Sequence, residues 1–571
     1  MRRSGGAIGP VVVRHPVSVV RHSVRGYAIA PPDEHIRFPP RRALFTRDWR
    51  LSSGFVWASD DDCIWIGWRQ TICNAFLGLS RIYGVGQLRE AFPPSAQTTT
   101  ITMKYDEERP KDAQSFKGVD EYSEGTESLG DVGEQIAQEQ EHHIKYRTCS
   151  WQKTAALLFS EYICLAILSF PWSYSILGIV PGILVTLGVA ATALYTSLNL
   201  WKYCLVHPEV RDIVDIGQRL FGGSQLAYNI WSLFFLLNNT FIQALHVLVG
   251  AKLLNTLSNS AACTVAFAVV SAVICFFISL PRTLSQLSGM AVFSAITMGI
   301  AVLLAIIFAG IEDKPFGYTP ELGEPKATLF PVKGTTFVQG MSAFLNITYT
   351  FVGQATIPSF IAEMKNPKDF WKAIWAVTIA EMIVFSLCGS LVYHWVGNQY
   401  ITSPVVGSLT DTYKKVAFSF AIPTIYFLGA LYSSVSSRFI FFRVFRNSEH
   451  RHSNTLVGWG SWVAIVAVSW VIAFLIAEVI PFFSDMLSLM CSLFDGWFGF
   501  IFWALAYFTL HPGAKKWDGP IKSIESIINY GLILIGVYII GAGTYTSVQS
   551  IIDSYHASLY GSVFTCASNA A

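Results

Sequence analysis

Of 571 residues, 52% are hydrophobic and only 14% are charged, against roughly 25% charged residues in soluble domains; this excludes an ordinary soluble fold and marks an integral membrane protein. A net charge of +2, with no basic run interleaved with aromatics, excludes a nucleic-acid partner. The ten cysteines contain no pair at the two-residue gap of zinc or redox motifs and fall mostly inside apolar stretches, where a thiol acts as a small hydrophobe, so neither a disulfide nor a metal is expected.

The chain begins with sequence of another kind. From Met1 to Ala30 there are five arginines and no acid. Two readings of residues 1–102 stay open: a natural N-terminal extension, or an over-extended gene model whose true start is Met103. Residues 103–150 are acidic and polar (Asp106, Glu107, Glu108, Asp120, Glu121, Glu124, Glu127) and read as a disordered cytoplasmic tail. Within this region Gly84-Val85-Gly86 lacks the third glycine and the strand–helix context of a nucleotide fingerprint, and His142-His143 reads as solvated tail.

From 151 to 551 the sequence is a membrane domain, followed by a short tail at 552–571. Crossing a bilayer takes about 20 apolar residues, and eleven stretches qualify: 153–176, 179–201, 226–254, 261–280, 285–310, 337–362, 370–395, 415–441, 456–480, 486–510 and 526–551. The loops after even-numbered spans carry Arg211 and Arg219, Arg282, Lys365 with Lys368 and Lys372, Arg443 with Arg446 and Arg451, and Lys515 with Lys516 and Lys522. Odd-side loops are poorer in cations, so the even loops and the N-terminus are expected in the cytoplasm and the C-terminus outside.

Two spans carry interruptions. The first is broken at Ser169-Phe170-Pro171, and the sixth at Gly353-Gln354 and again at Pro358. Proline lacks a backbone donor and glycine weakens a helix, so each break frees polar backbone at a depth where hydrocarbon cannot satisfy it. Paired breaks in two halves of a many-span protein point to a transporter's substrate site.

The chain resembles the amino acid/auxin permease family, and within it the fungal neutral amino acid permeases related to the methyltryptophan-resistance transporter. The resemblance rests on Leu168-Ser169-Phe170-Pro171-Trp172 with Leu177-Gly178 and Pro181-Gly182. It rests also on Phe351-Val352-Gly353-Gln354 through Pro358 to Glu363-Met364-Lys365-Asn366-Pro367-Lys368-Asp369-Phe370. It implies an all-α fold, an inverted five-plus-five repeat of the leucine-transporter kind plus one helix, and amino acid transport, commonly with protons. In that architecture spans 3 and 8 line the site opposite the broken helices, and span-8 hydroxyls can hold a coupling sodium ion, which makes Ser433 and Ser436 candidates.

A zwitterionic substrate needs donors for its carboxylate, acceptors for its ammonium group and an apolar wall. Ala166, Ser169 and Phe170 in span 1, and Tyr349, Thr350, Gly353 and Gln354 in span 6, are the expected substrate contacts. Glu161, Glu381 and Asp495 fall inside spans, where ionisable groups are functional by default. Glu161 is nearest a break and is the expected proton carrier; a structural role is favoured for the other two. Span 3 adds Asn238, Asn239, Thr240, Gln243 and His246, which read mainly as helix–helix contacts. No catalytic elbow, phosphate loop or metal cluster is present, so the chain is read as no enzyme and without a cofactor. The expected function is proton-coupled import of neutral aliphatic and aromatic amino acids across the plasma membrane. An amino acid sensor on the same fold, sodium coupling and a vacuolar location remain the alternatives.

Overall fold

Hydrocarbon offers backbone N–H and C=O groups no partner, so the apolar stretches close their hydrogen bonds within themselves as helices. The structure, a computed structural model, describes residues 149–282, 284–446, 448–451, 453–557 and 563–570. The extension 1–102, nearly all of the acidic tail 103–150, Gly84-Val85-Gly86 and His142-His143 lie outside the described residues.

Among the described residues nine helices are long and apolar enough to cross a membrane: Trp151–Leu177, Ile179–Val206, Gln225–Ser258, Gly289–Ile311, Pro367–Tyr400, Asp411–Val444, Leu456–Val479, Phe483–Leu510 and Gly519–His556. The shorter Thr264–Ile278 supplies the fourth span, and Phe337–Phe351 with Ile357–Glu363 forms the interrupted sixth. All eleven expected spans are therefore present in order. The last helix runs on to His556, beyond the expected boundary.

A five-span period shows in the elements themselves. The first and sixth spans are both broken, and in both the second half opens with a proline in its first two positions. The third and eighth are each 34 residues long. Cys149, ahead of the first span, pairs in parallel with Met364, at the end of the sixth: Cys149 N donates to Glu363 O at 3.0 Å, and Lys365 N to Cys149 O at 2.8 Å. The first span thus starts where the sixth ends, and the two run in opposite directions.

Burial separates an inner set of helices from an outer one. The apolar windows of the first and tenth spans are 78% and 83% buried, whereas those of the second, ninth and eleventh are only 28% buried and leave a wide apolar face for lipid. A single residue, Gly178, joins the first two spans at φ 82. A side chain there is excluded twice, by the positive φ and by the Phe330 backbone 2.6 Å from where a Cβ would lie.

Three features depart from the sequence reading. The loop after the second span holds a short helix, Ile213–Leu220, capped by Asp212, whose Oδ1 accepts from Val214 N and Asp215 N at 3.0 and 3.1 Å; eight residues are too few to show a period. The tenth and eleventh spans widen into π-helix at Cys491–Ile501 and Ile539–Gly543. There Gly496 lies so close to Ile540 that a Cβ would come within 2.5 Å of it. Third, Cys263 and Cys566 form a disulfide across 303 positions, correcting the expectation of none. Spacing rules see only near neighbours, and here folding brings the C-terminal tail to the start of the fourth span.

Candidate functional site

The first helix, Trp151–Tyr162, stops at Ile163 and Cys164, whose backbones are non-helical, before a 3₁₀ turn at Leu165–Ser169 and a helix at Phe170–Leu177. The break therefore precedes Ser169-Phe170-Pro171. Pro171 falls in the opening turn of the following helix, where its N–H has no intrahelical partner to lose. Pro358 holds the same place in Ile357–Glu363, so it starts a helix rather than interrupting one. The sixth-span break is Val352 to Thr356, as Gly353-Gln354 suggests.

The two breaks touch. A Cβ on Gly353 would meet the Tyr162 ring at 2.7 Å, so only glycine permits this approach. Glu161, one residue before the first helix ends, accepts a hydrogen bond at Oε1 from Thr356 at 2.7 Å and another from the Tyr432 hydroxyl. Its Oε2 has no partner among the described residues. Thr356 Oγ1 is also 2.9 Å from Gly353 O, and a hydroxyl has one hydrogen to give.

A cavity of about 50 Å³ opens between the breaks, room for more than one water at roughly 10–15 Å³ each. Span 1 lines it with Glu161, Tyr162, Cys164, Leu165 and Ala166, and span 6 with Tyr349, Thr350, Val352, Gly353, Ala355 and Thr356. Span 3 supplies Asn238, Ile242, Leu245, His246 and Val249; Leu428 and Tyr432 come from span 8, and Phe483, Asp495 and Phe498 from span 10. Among the described residues no lysine or arginine lines it.

Five of the expected site residues therefore gather at one cavity: Glu161, Ala166, Tyr349, Thr350 and Gly353. The others lie behind it. Ser169 donates to Ala166 O at 2.7 Å and steadies the unwound turn. Phe170 packs against Phe351 and Phe385, with ring centres 6.3 and 5.0 Å away. Gln354 turns to the second span, donating to Thr196 Oγ1 at 3.2 Å and Ser197 Oγ at 3.3 Å. Ser433 pairs with Ser469 at 3.3 Å; Ser436 is buried, and neither serine lines the cavity. Glu381 is buried outside the lining. Sequence reasoning overlooked Thr356 and Tyr432. Thr356 has a signal, since it stands one helical turn beyond Gly353; Tyr432 has none beyond its spacing of four from Leu428.

Charged contacts cluster at the C-terminal ends of the sixth and eighth spans. Arg438 pairs with Glu363 at 2.6 Å, and Arg443 with Asp212 at 3.0 Å and Asp215 at 3.7 Å. Burial, then the neighbouring Asp212 carboxylate, pushes Asp215 up to about 6, with Arg443 and Arg211 opposing.

Residues 147–549 match the family model described as "Transmembrane amino acid transporter protein". The chain is 31% identical to the "N amino acid transport system protein" of Neurospora crassa over 440 residues, 77% of this chain and 92% of that one. It is 28% identical to a "Transmembrane transporter" of Gibberella moniliformis, covering 78% and 93%. Among solved structures it resembles a nucleobase-cation-symport-1 family transporter in a closed conformation with bromovinylhydantoin bound, at 15% identity and a TM-score of 0.45, covering 73% of this chain and 96% of that one.

Proposed function

The chain belongs to the transmembrane amino acid transporter family, and on that premise we propose that it imports neutral aliphatic and aromatic amino acids with protons, by alternating access. It is an amino acid transporter and not an enzyme. The observation that carries the finer reading is the carboxylate of Glu161, held by a donor from the other broken span beside a cavity without lysine or arginine.

A zwitterion placed between the breaks would meet the first N–H groups of the Leu165–Ser169 turn, which have no intrahelical partner, and the polar edges of Ala166, Thr350 and Gly353. Tyr349, Ile242, Leu245 and Phe498 would form the apolar wall, and such a wall favours uncharged side chains. Ser169, Phe170 and Gln354 would hold the breaks in shape from behind. An ionised Glu161 has no cation beside it in the lining, and uncompensated buried charge is costly. A proton on Oε2 removes that charge, so protonation and closure would be linked.

Cation-rich even loops support a cytoplasmic N-terminus. The disulfide adds independent support, since Cys263 follows the third span and Cys566 the eleventh. After an odd number of crossings both lie on the cation-poor face, and disulfides persist where the compartment is oxidising. The test is uptake of labelled leucine and tryptophan into proteoliposomes carrying an internal pH dye. Substrate-dependent internal acidification is expected; uptake that ignores collapse of the proton gradient and needs sodium instead would sink the proton assignment.

A further inference from the structure

We propose that Asp495, on the π-helical stretch of the tenth span, binds the ammonium group of the substrate and is therefore the residue by which the transporter requires an α-amino group. The proposal rests on the amino acid reading above and deepens it.

Two carboxyl groups, Glu161 and Asp495, face one cavity, and they differ in engagement. Glu161 Oε1 already accepts from Thr356 and Tyr432, which ties it to the sixth and eighth spans. Asp495 is 4% exposed; its Oδ2, like Glu161 Oε2, has no partner among the described residues, and its carboxyl is met by the Cys491 thiol, a weak donor, where Glu161 has two hydroxyls. A buried polar atom left unpaired costs about 1–3 kcal/mol, more when charged, and Asp495 is among the residues that line the cavity. An ammonium group is a partner of matching charge with several N–H donors.

The local backbone fits this role. A π-helix is rare and is frequent at functional sites, and this one shifts Asp495 out of ordinary register. Gly496, the next residue, lets the eleventh span press close: a Cβ there would meet Ile540 at 2.5 Å and Gly536 O at 2.9 Å. Asp495 is thereby backed by the closely packed eleventh span. Labour then divides between the two acids, a proton for Glu161 and the substrate cation for Asp495. A 2-oxo acid of the same shape would leave Asp495 unpaired, and sites built to pair a polar group reject analogues that lack it.

The experiment is competition against labelled L-leucine counterflow in proteoliposomes, using L-leucine and 4-methyl-2-oxopentanoate. In the wild type, leucine competes and the oxo acid does not. Asp495→Asn is expected to weaken leucine binding about tenfold or more and to bring the two competitors within a few-fold of each other. Asp495→Glu keeps the preference. An Asp495→Asn protein that discriminates as well as the wild type overturns the proposal. So does a wild type inhibited equally by both compounds, a result that needs no variant to fold. A wild type that transports none of the twenty amino acids defeats the amino acid reading itself, and this assignment falls with it; leucine transport with an indifferent Asp495→Asn defeats the assignment alone.

Discussion

Thr356 donates to Glu161 across 2.7 Å and 195 positions of sequence, joining the break in the sixth span to the last turn of the first helix. The hydroxyl has one hydrogen and two acceptors within reach, the Glu161 carboxylate and the Gly353 carbonyl at 2.9 Å. With Glu161 ionised the hydrogen is held by the carboxylate; with Glu161 neutral it is free to turn to the carbonyl. The proton state of one break is thereby felt by the backbone of the other.

Thr356→Val, which keeps the shape and removes the hydroxyl, is expected to lower proton-driven uptake about tenfold, the equivalent of one charge-assisted hydrogen bond. Thr356→Ser should keep most of it, and substrate exchange without a proton gradient should suffer less in both. Equal losses of driven uptake and exchange in Thr356→Val would assign the residue to packing instead.

Gly353→Ala forces the Tyr162 ring aside, because its Cβ would lie 2.7 Å from the ring, and overpacking of this kind costs about 1–3 kcal/mol. The purified protein should melt several degrees lower and transport poorly. Adding Tyr162→Leu relieves the clash, so the double variant should lose less stability than the two single losses summed. Strict additivity in melting temperature would show that the two residues do not press on each other.

The Cys263–Cys566 bond closes a long loop, and removing such a bond costs up to about 5 kcal/mol. Its docking is reinforced by Asn255 Nδ2 donating to Asn569 Oδ1 at 2.7 Å and Thr264 Oγ1 to Ala567 O at 2.6 Å. Cys263→Ser should therefore lower the melting temperature and loosen the tail without abolishing the fold. On intact cells an impermeant maleimide should label these two thiols only after reduction; labelling without reductant would show that the pair is open.

Asp215, on the helix between the second and third spans, is pushed up to about 6 by burial and by Asp212. An acid whose folded pKa lies above its usual value near 4 binds its proton more tightly when folded. Its favourable contribution is therefore complete at low pH and is lost as pH rises from about 4 through 6. Asp215→Asn should flatten that part of the melting-temperature profile and leave the variant as stable as the wild type, or more so, above pH 6. A wild-type profile without any decline between pH 4 and 6 would contradict this sign.

The sequence by itself determined the eleven spans and the break in the sixth, because length, apolarity and helix-breaking residues act locally in lipid. It also marked Glu161, since an ionisable residue in an apolar stretch stands out whatever surrounds it. Proline misled it by nearly two turns in the first span, for a proline next to a gap can close the gap as readily as cause it. Only the tertiary structure decided that Ala166, Tyr349, Thr350 and Gly353 share a cavity while Ser169, Phe170 and Gln354 stand behind it. It alone brought Thr356 and Tyr432 to Glu161, turned Asp495 toward the same space and joined Cys263 to Cys566. Those relations depend on which face each helix turns to its neighbours, and an almost uniformly apolar span carries little record of its facing.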